Sequence, residues 1–340
     1  MCLAVKADAY GHGIVEIGKA AAGFGVDYLA VATVDEAVDL RRSGVSLPIL
    51  LYSLPTPEEL PSVIEHAATP VVSDLEIAQL IQDEARRADK RVDVHLKIDT
   101  GMGRIGCRPE EAAPIAERLG DFGNLRLAGV STHFATADSA SQDQTRDQIA
   151  RFNEAIAAIR GRGIDPGIVH AANSGGVLQY PEAWYDMIRP GILAYGYRPS
   201  DAVASDFAFT PVMELRSKVI HIKEIEAGSP VSYGATWHAP QRTFIGTIPV
   251  GYGDGYSRLL SNRGSVFIGG RTYPIVGRVC MDHIMVDLGP RCEIDRFADV
   301  TLFGPNAGGP DADQLAHLCG TIAYEITCAV TKRVPRIYVD

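Results

Sequence analysis

Several residues able to do covalent or acid–base chemistry stand at the ends of short β-rich runs. Lys6 closes Leu3–Lys6, Lys97 and Asp99 sit at the end of Val92–Ile98, and His133 closes Leu127–His133. Asn173 and Ser174 follow Ile168–Ala172, and Arg189 follows Met187–Ile188. A strand-end lysine taken alone is most often a solvated surface charge; the recurrence of cationic and polar groups at run ends gives Lys6 more weight. The run Asn173-Ser174-Gly175-Gly176 suits an anion, because glycine permits close backbone approach and amides assisted by a hydroxyl favour phosphate. It reads equally as an ordinary helix N-cap. A strand-end lysine facing a phosphate cradle is what pyridoxal phosphate chemistry requires: the amine forms a Schiff base and the loop anchors the tail.

These groups meet only if the elements bring their ends together. Over the first 200 residues the strand candidates are Leu3–Lys6, Tyr28–Ala32, Pro48–Leu51, Pro70–Ser73, Val92–Ile98, Leu127–His133, Ile168–Ala172 and Met187–Ile188. Helical patterns such as Thr33–Ser43, Asp74–Ala88 and Gln142–Arg162 separate them. A doubly wound open sheet gives the same alternation. The count of eight favours a (β/α)8 TIM-type barrel, in which the strand ends form one mouth. After Asp201 the texture changes to short strands between Gly, Pro and Asp turns: Val212–Glu224, Arg242–Val250, Gly264–Ile268, Thr272–Val276, His283–Leu288 and Asp299–Leu302. The expected organisation is a barrel over residues 1–200 and an all-β domain over 201–340, with Pro199–Asp206 as linker.

Composition narrows the partners. Among 340 residues, 46% are hydrophobic and the net charge is −10, which speaks for an ordinary globular protein and against nucleic acid or an anionic membrane surface. A small-molecule ligand fits better. Lys6 and Asp8 interrupt any apolar leader, and no stretch approaches the roughly 20 apolar residues of a membrane span. Cys2, Cys107, Cys280, Cys292, Cys319 and Cys328 show neither CxxC nor metal-ligand spacing, so reduced thiols, a cytoplasmic location and no metal site are expected. A Cys280–Cys292 disulfide is allowed by sequence.

Nine runs, in order, carry a resemblance to the alanine racemase family along nearly the whole chain. They are AVKADAYGHG (4–13), HLKIDTGMGRIG (95–106), THFATAD (132–138), ANSGG (172–176), IRPGILAYG (188–196), VSYGATW (231–237), GYGDGYSR (251–258), GRVCMD (277–282) and the tail YEI…RVPR. The resemblance implies a pyridoxal phosphate-binding barrel followed by a β domain. In it Lys6 matches the Schiff-base lysine and the base for the D-enantiomer, and Tyr233 the base for the L-enantiomer. Tyr10, Ser174, Gly191, Ile192 and Tyr324 match the phosphate ligands, and His133 lies beside the cofactor ring. Met281 and Arg104 match contacts to the substrate carboxylate, Arg104 also reaching the ring hydroxyl. Tyr324, Ile192 and Met281 read equally as core residues.

Arg189 matches the partner of the ring nitrogen. An arginine cannot accept that nitrogen's proton, so the ring is a weaker electron sink than in enzymes that place a carboxylate there. A structural salt bridge is its alternative reading. Lys97 matches a lysine that many members carry as a carbamate, which would separate it electrostatically from Arg104. Asp138, Arg258, Arg278 and Ile322 fall where the family lines its substrate corridor. Members usually have a few dozen residues before the lysine strand, including a segment that pairs with the β domain; here the sequence starts almost on that strand.

The resemblance implies an isomerase interconverting L- and D-alanine for peptidoglycan, working as a homodimer with shared active sites. Serine or a broader substrate range stays open, since one methylene is worth only about 1–3 kcal/mol. A basic amino-acid decarboxylase would carry an acidic residue where Arg189 stands, and a non-catalytic pyridoxal phosphate carrier would lack the second domain and Tyr233.

Overall fold

Seven strands run parallel in chain order: β1 (Cys2–Ala4), β2 (Tyr28–Val31), β3 (Ile49–Leu51), β4 (Ala68–Val72), β5 (Val92–Lys97), β6 (Leu125–Ser131) and β7 (Ile168–His170). They belong to a computed structural model that describes residues 1–203, 206–305 and 308–339. Two compact units emerge. One comprises Met1–Ala9, Gly13–Ala194 and Arg198–Ala208; the other comprises Tyr10–His12, Tyr195–Tyr197 and the chain from Phe209 onward. The linker expected over Pro199–Asp206 includes Ala204 and Ser205, which lie outside the described residues.

The eighth strand expected at Met187–Ile188 does not form a regular ladder. Asp186 N donates to Val169 O at 3.0 Å and Arg189 N to Ala172 O at 2.8 Å, tying this segment to β7. On its other side Cys2 N donates to Ile188 O at 2.9 Å and Ala4 N to Pro190 O at 3.1 Å. An irregular segment thus closes the barrel between β7 and β1. Pro190 has no N–H to offer, which stops regular pairing just where Arg189 must leave the wall.

The barrel helices follow from capping and amphipathicity. Thr33 and Glu36 form a reciprocal capping box ahead of Val34–Arg42. Asp74 accepts from Ile77 N at 2.9 Å ahead of Leu75–Arg87, which buries Ile77, Ala78, Ile81 and Ala85 on one face. These meet Val94, Leu96, Ile98, Val130 and Phe152 in one continuous core. Each fully buried aliphatic side chain there contributes about 1.5–3 kcal/mol.

The second unit is built on antiparallel sheets. Strands β8 (Leu215–Lys218), β9 (His221–Ile225), β10 (Pro230–Val231), β11 (Trp237–His238), β12 (Thr243–Ile248), β13 (Ser265–Ile268), β14 (Arg271–Pro274), β15 (Ile284–Gly289) and β16 (Asp299–Phe303) pair as β15-β12-β9, β14-β13-β16-β8 and β10-β11. The single run expected over Val212–Glu224 divides, because the chain crosses between sheets at Val219, which donates to Ala298 O, and Ile220, which donates to Thr247 O. Two helices accompany these sheets. Helices Ala312–Cys319 and Ala323–Ala329 follow β16, the first started by an Asp311–Gln314 capping box and ended by left-handed Gly320. Cys280 and Cys292 are both free thiols, so the Cys280–Cys292 disulfide does not form. Among the described residues no helix is long and apolar enough to cross a membrane.

Candidate active site

Lys6 lies two residues beyond β1, and the chain after it turns the wrong way for an L-peptide. Ala7, Asp8, Ala9 and Tyr10 have φ between 53° and 55°, forming a left-handed turn. At about 1–2 kcal/mol per residue this geometry needs support. Ala9 N donates to Val5 O at 2.8 Å, Ala7 N to Glu36 Oε1 at 2.6 Å, and Ile14 N to Asp8 Oδ1 at 2.9 Å. The Glu36 that caps one barrel helix therefore also braces the backbone next to Lys6.

Arg189 is buried, with 4% of its surface exposed. Its Nη1 donates to His170 Nδ1 at 2.9 Å, and its Nη2 donates to Thr132 O and Ala171 O at 2.9 Å each and to His133 Nδ1 at 3.2 Å. The Tyr52 ring lies 5.9 Å from the guanidinium carbon. Among the described residues no carboxylate is within ion-pair distance of Arg189, so the salt-bridge reading does not apply. Its hydrogen-bond acceptors among the described residues are carbonyls and imidazoles.

This environment favours neutral bases. Burial, with the charges of Lys97, Arg189, Arg104 and Lys6, holds the His133 imidazole well below its usual range. Burial and the charges of Arg189 and Arg104 likewise hold the Lys97 amine well below the usual lysine range, Asp99 opposing weakly. Asp99 accepts from Gly101, Met102 and Gly103 amides at 2.8–3.1 Å, shaping the loop that carries Arg104, whose side chain is exposed.

Ser174 opens the helix Ser174–Gln179, and Asn173 caps it by accepting from Gly176 N at 3.0 Å, so the N-cap reading of this run holds too. Ser174 Oγ accepts from Gly191 N at 2.9 Å and Leu193 N at 3.4 Å. Ser174, Gly191 and Ile192 thus come together, all buried. In the second unit the rings of Tyr10 and Tyr324 lie 5.8 Å apart, with Tyr195 stacked on Tyr10 at 5.0 Å. Burial pushes the Tyr10 phenol up.

The second unit also gathers three of the quoted runs. Tyr233 lies in a turn where Ser232, Gly234 and Ala235 have positive φ. Ser232 Oγ donates to Arg278 O at 2.7 Å, and a Cβ on Gly234 would stand 3.3 Å from Arg278 Nη1. Tyr252 N and Gly253 N donate to Cys280 O and Met281 O at 3.0 and 2.9 Å. A Cβ on Gly251 would come within 2.3 Å of Met281 O, so the loop holding Met281 packs directly on that glycine. Tyr233 is 71% exposed and Met281 52% exposed, which removes the core reading of Met281.

Two residues escaped the sequence reading. His170 on β7 is the acceptor for Arg189 Nη1, and His95 on β5 lies 2.8 Å from it, Nδ1 to Nε2. The available signal was alternation along a strand: His95 and Lys97 are two residues apart and share a face of β5.

The groups of the first unit fit pyridoxal phosphate: a lysine at a strand end, a buried guanidinium with N–H groups beyond those already spent, a neutral imidazole beside it, and a serine hydroxyl converging with two amides. Parallel barrel, lysine and arginine, together with an antiparallel-β second unit, define a barrel-type pyridoxal phosphate enzyme. Comparison gives the particular family. The profile of the alanine racemase N-terminal domain matches residues 1–199 and that of the C-terminal domain residues 212–338. Alanine racemase from Treponema denticola is 48% identical, covering 100% of this chain and 91% of its own, and that from Desulfovibrio desulfuricans is 42% identical over 100% and 91%. The structure of alanine racemase from Clostridium difficile 630 superposes with a TM-score of 0.94 at 38% identity, covering 98% of this chain and 87% of that one. The Bacillus anthracis enzyme with bound L-Ala-P superposes with a TM-score of 0.93 at 35% identity, over 100% and 88%. The chain belongs to the alanine racemase family.

Proposed function

We propose that this protein interconverts L- and D-alanine with pyridoxal 5'-phosphate, supplying D-alanine for peptidoglycan. The observation that carries the reading is Arg189, buried, without a carboxylate neighbour among the described residues, and donating to two imidazole nitrogens. When bound, the cofactor draws electron density from Cα through its ring. Arg189 only donates, so beside a bound cofactor it would hold the ring nitrogen without supplying an acceptor for its proton. Lys6 holds the cofactor and exchanges the proton on one face of Cα; Tyr233 exchanges it on the other. Tyr10, Ser174, Gly191, Ile192 and Tyr324 hold the phosphate. His133 orients the ring, and Arg104 and Met281 meet the substrate carboxylate.

Lys97, its amine held well below the usual lysine range by burial and neighbouring cations, suits carbamate formation. Its amine adds to carbon dioxide, forming an N–C bond and releasing one proton, and the resulting anion orients Arg104. Tyr233, 71% exposed, needs cover to act on Cα without competition from water. We infer that a second copy of the chain supplies it, giving a homodimer with two shared sites. Free thiols at Cys2, Cys107, Cys280, Cys292 and Cys319 support a reducing, cytoplasmic setting. The test is incubation of purified protein with L-alanine and separately with D-alanine, followed by chiral chromatography. Both should reach the same mixture; no enantiomer formed from either would overturn the reading, and faster turnover of serine would redirect the substrate.

A further inference from the structure

We propose that His95 is a positioning residue for Arg189, acting through His170 by fixing which nitrogen of the His170 imidazole carries the proton. The consequence for catalysis rests on the racemase reading; the hydrogen-bond chain stands on geometry.

A guanidinium has only donors. Since Arg189 Nη1 is 2.9 Å from His170 Nδ1, that nitrogen must present a lone pair and the His170 proton must sit on Nε2. His170 Nε2 is 2.8 Å from His95 Nδ1. It therefore donates, and His95 Nδ1 accepts. His95 in turn carries its own proton on Nε2, a buried atom with no hydrogen-bond partner among the described residues. A donor-only cation at one end and the His95 Nδ1 lone pair at the other thus hold the His170 proton on Nε2. The reverse arrangement would put a His170 Nδ1–H against an Arg189 N–H, and so would a doubly protonated His170.

The fold makes room for this chain. The β5–β6 register shifts between Val94 and His95, and His95 pairs with Gly129. A Cβ on Gly129 would come within 2.6 Å of His95 Cε1 and 2.7 Å of its Nδ1, so the imidazole occupies the space a side chain would fill. Both imidazoles are buried, His95 completely. An apolar side chain in this place would pack without an orphaned N–H, but would leave His170 Nε2–H without an acceptor. The His170 proton could then move to Nδ1, pushing Arg189 Nη1 away and leaving the Thr132 and Ala171 carbonyls as its anchors in this direction.

The experiment is nitrogen NMR on protein labelled at histidine with ¹⁵N, followed by two variants. The His170 imidazole should show a protonated Nε2 and a bare Nδ1; a protonated Nδ1 overturns the proposal without any variant. His95→Leu should lose that signature, shift the absorption band of the bound cofactor, and lower kcat roughly tenfold with KM little changed. His95→Gln, whose Oε1 accepts from His170, should restore all three to near wild type. If His95→Leu folds and keeps the wild-type spectrum and kcat, His95 does not position Arg189. Should it fail to fold, the nitrogen spectrum of the unaltered protein decides. Wild-type protein with the expected spectrum but no racemisation would count against the racemase reading and leave the tautomer chain standing.

Discussion

Arg189 and His170 are joined by a guanidinium-to-imidazole hydrogen bond of 2.9 Å inside the barrel, where an ion pair with a carboxylate would ordinarily be expected of a buried arginine. The remaining N–H groups of Arg189 can only donate to whatever faces them. Arg189→Glu would introduce an acceptor able to keep a ring nitrogen protonated, so racemisation should fall by about 100-fold or more and a long-wavelength absorption band should build up with substrate. Steady-state kinetics and spectra check this together. Unchanged values in both would separate Arg189 from the cofactor.

Stability should decline on mild acidification. Burial, outweighing the charge of Asp93, lowers the His95 imidazole from 6.5 to about 4, and burial holds His133 and His170 well below 6.5. Below pH about 6.5 the unfolded chain binds these protons and the folded chain does not, so stability present above that pH is lost as pH falls toward the folded values. Urea midpoints at pH 7.5, 6.0 and 5.0 should fall in that order. A flat series would mean these imidazoles are protonated in the folded state.

Lys6 should be the residue that holds the cofactor. After borohydride reduction of the loaded protein, peptide mapping should place the label on Lys6 within the run Ala4–Gly13. Label on Lys97 or Lys19 would refute the assignment. Intact-protein mass in bicarbonate buffer, compared with acid-treated protein, should show one carbon dioxide per chain, lost in Lys97→Ala.

Lys6→Ala and Tyr233→Phe should each abolish most activity. If the two bases of one site come from different chains, a mixed dimer rebuilds one intact site. Random reassortment gives half mixed dimers with half their sites restored, so activity should return to about a quarter of wild type. No recovery from mixed dimers shown to form would place both bases on one chain.

The left-handed turn makes an unusual demand at Ala7. In a right-handed helix Ala→Gly costs about 1 kcal/mol. At Ala7, exposed and with φ 53°, Ala7→Gly should instead stabilise by up to about 1 kcal/mol, since glycine enters this region without a Cβ penalty. A raised urea midpoint confirms the sign; a lowered one contradicts it.

How the chain would fold was legible where local rules act alone. Alternating β-rich runs and capped amphipathic helices marked the barrel, because Thr33 with Glu36 and Asp74 with Ile77 are interactions within one turn of helix. Lys6, His133, Ser174 and Arg189 were singled out for the same reason: each ends or follows a β-rich run, and strand ends are where a barrel gathers chemistry. The turn from Ala7 to Tyr10 was hidden, since alanine and tyrosine carry no signal for positive φ and part of its support comes from the distant Glu36. The closing segment at Asp186–Pro190 was hidden too. Its partners are the far strands β7 and β1, and a pattern in sequence cannot distinguish a ladder from two pairs of isolated bonds.

What the sequence by itself determined is the set of reactive groups and the order of elements that carry them, because residue type sets donor, acceptor and acid–base capacity and short-range spacing sets helix or strand. Only the tertiary structure decided which groups act on one another. His95 and His170 lie 75 positions apart, yet one accepts the other's proton at 2.8 Å, and Arg189 sets the direction of that bond. Desolvation and mutual charge exist only once the barrel has closed around these side chains. That is why Lys97, an ordinary cation in the sequence, becomes an amine held well below its usual pKa in the folded protein.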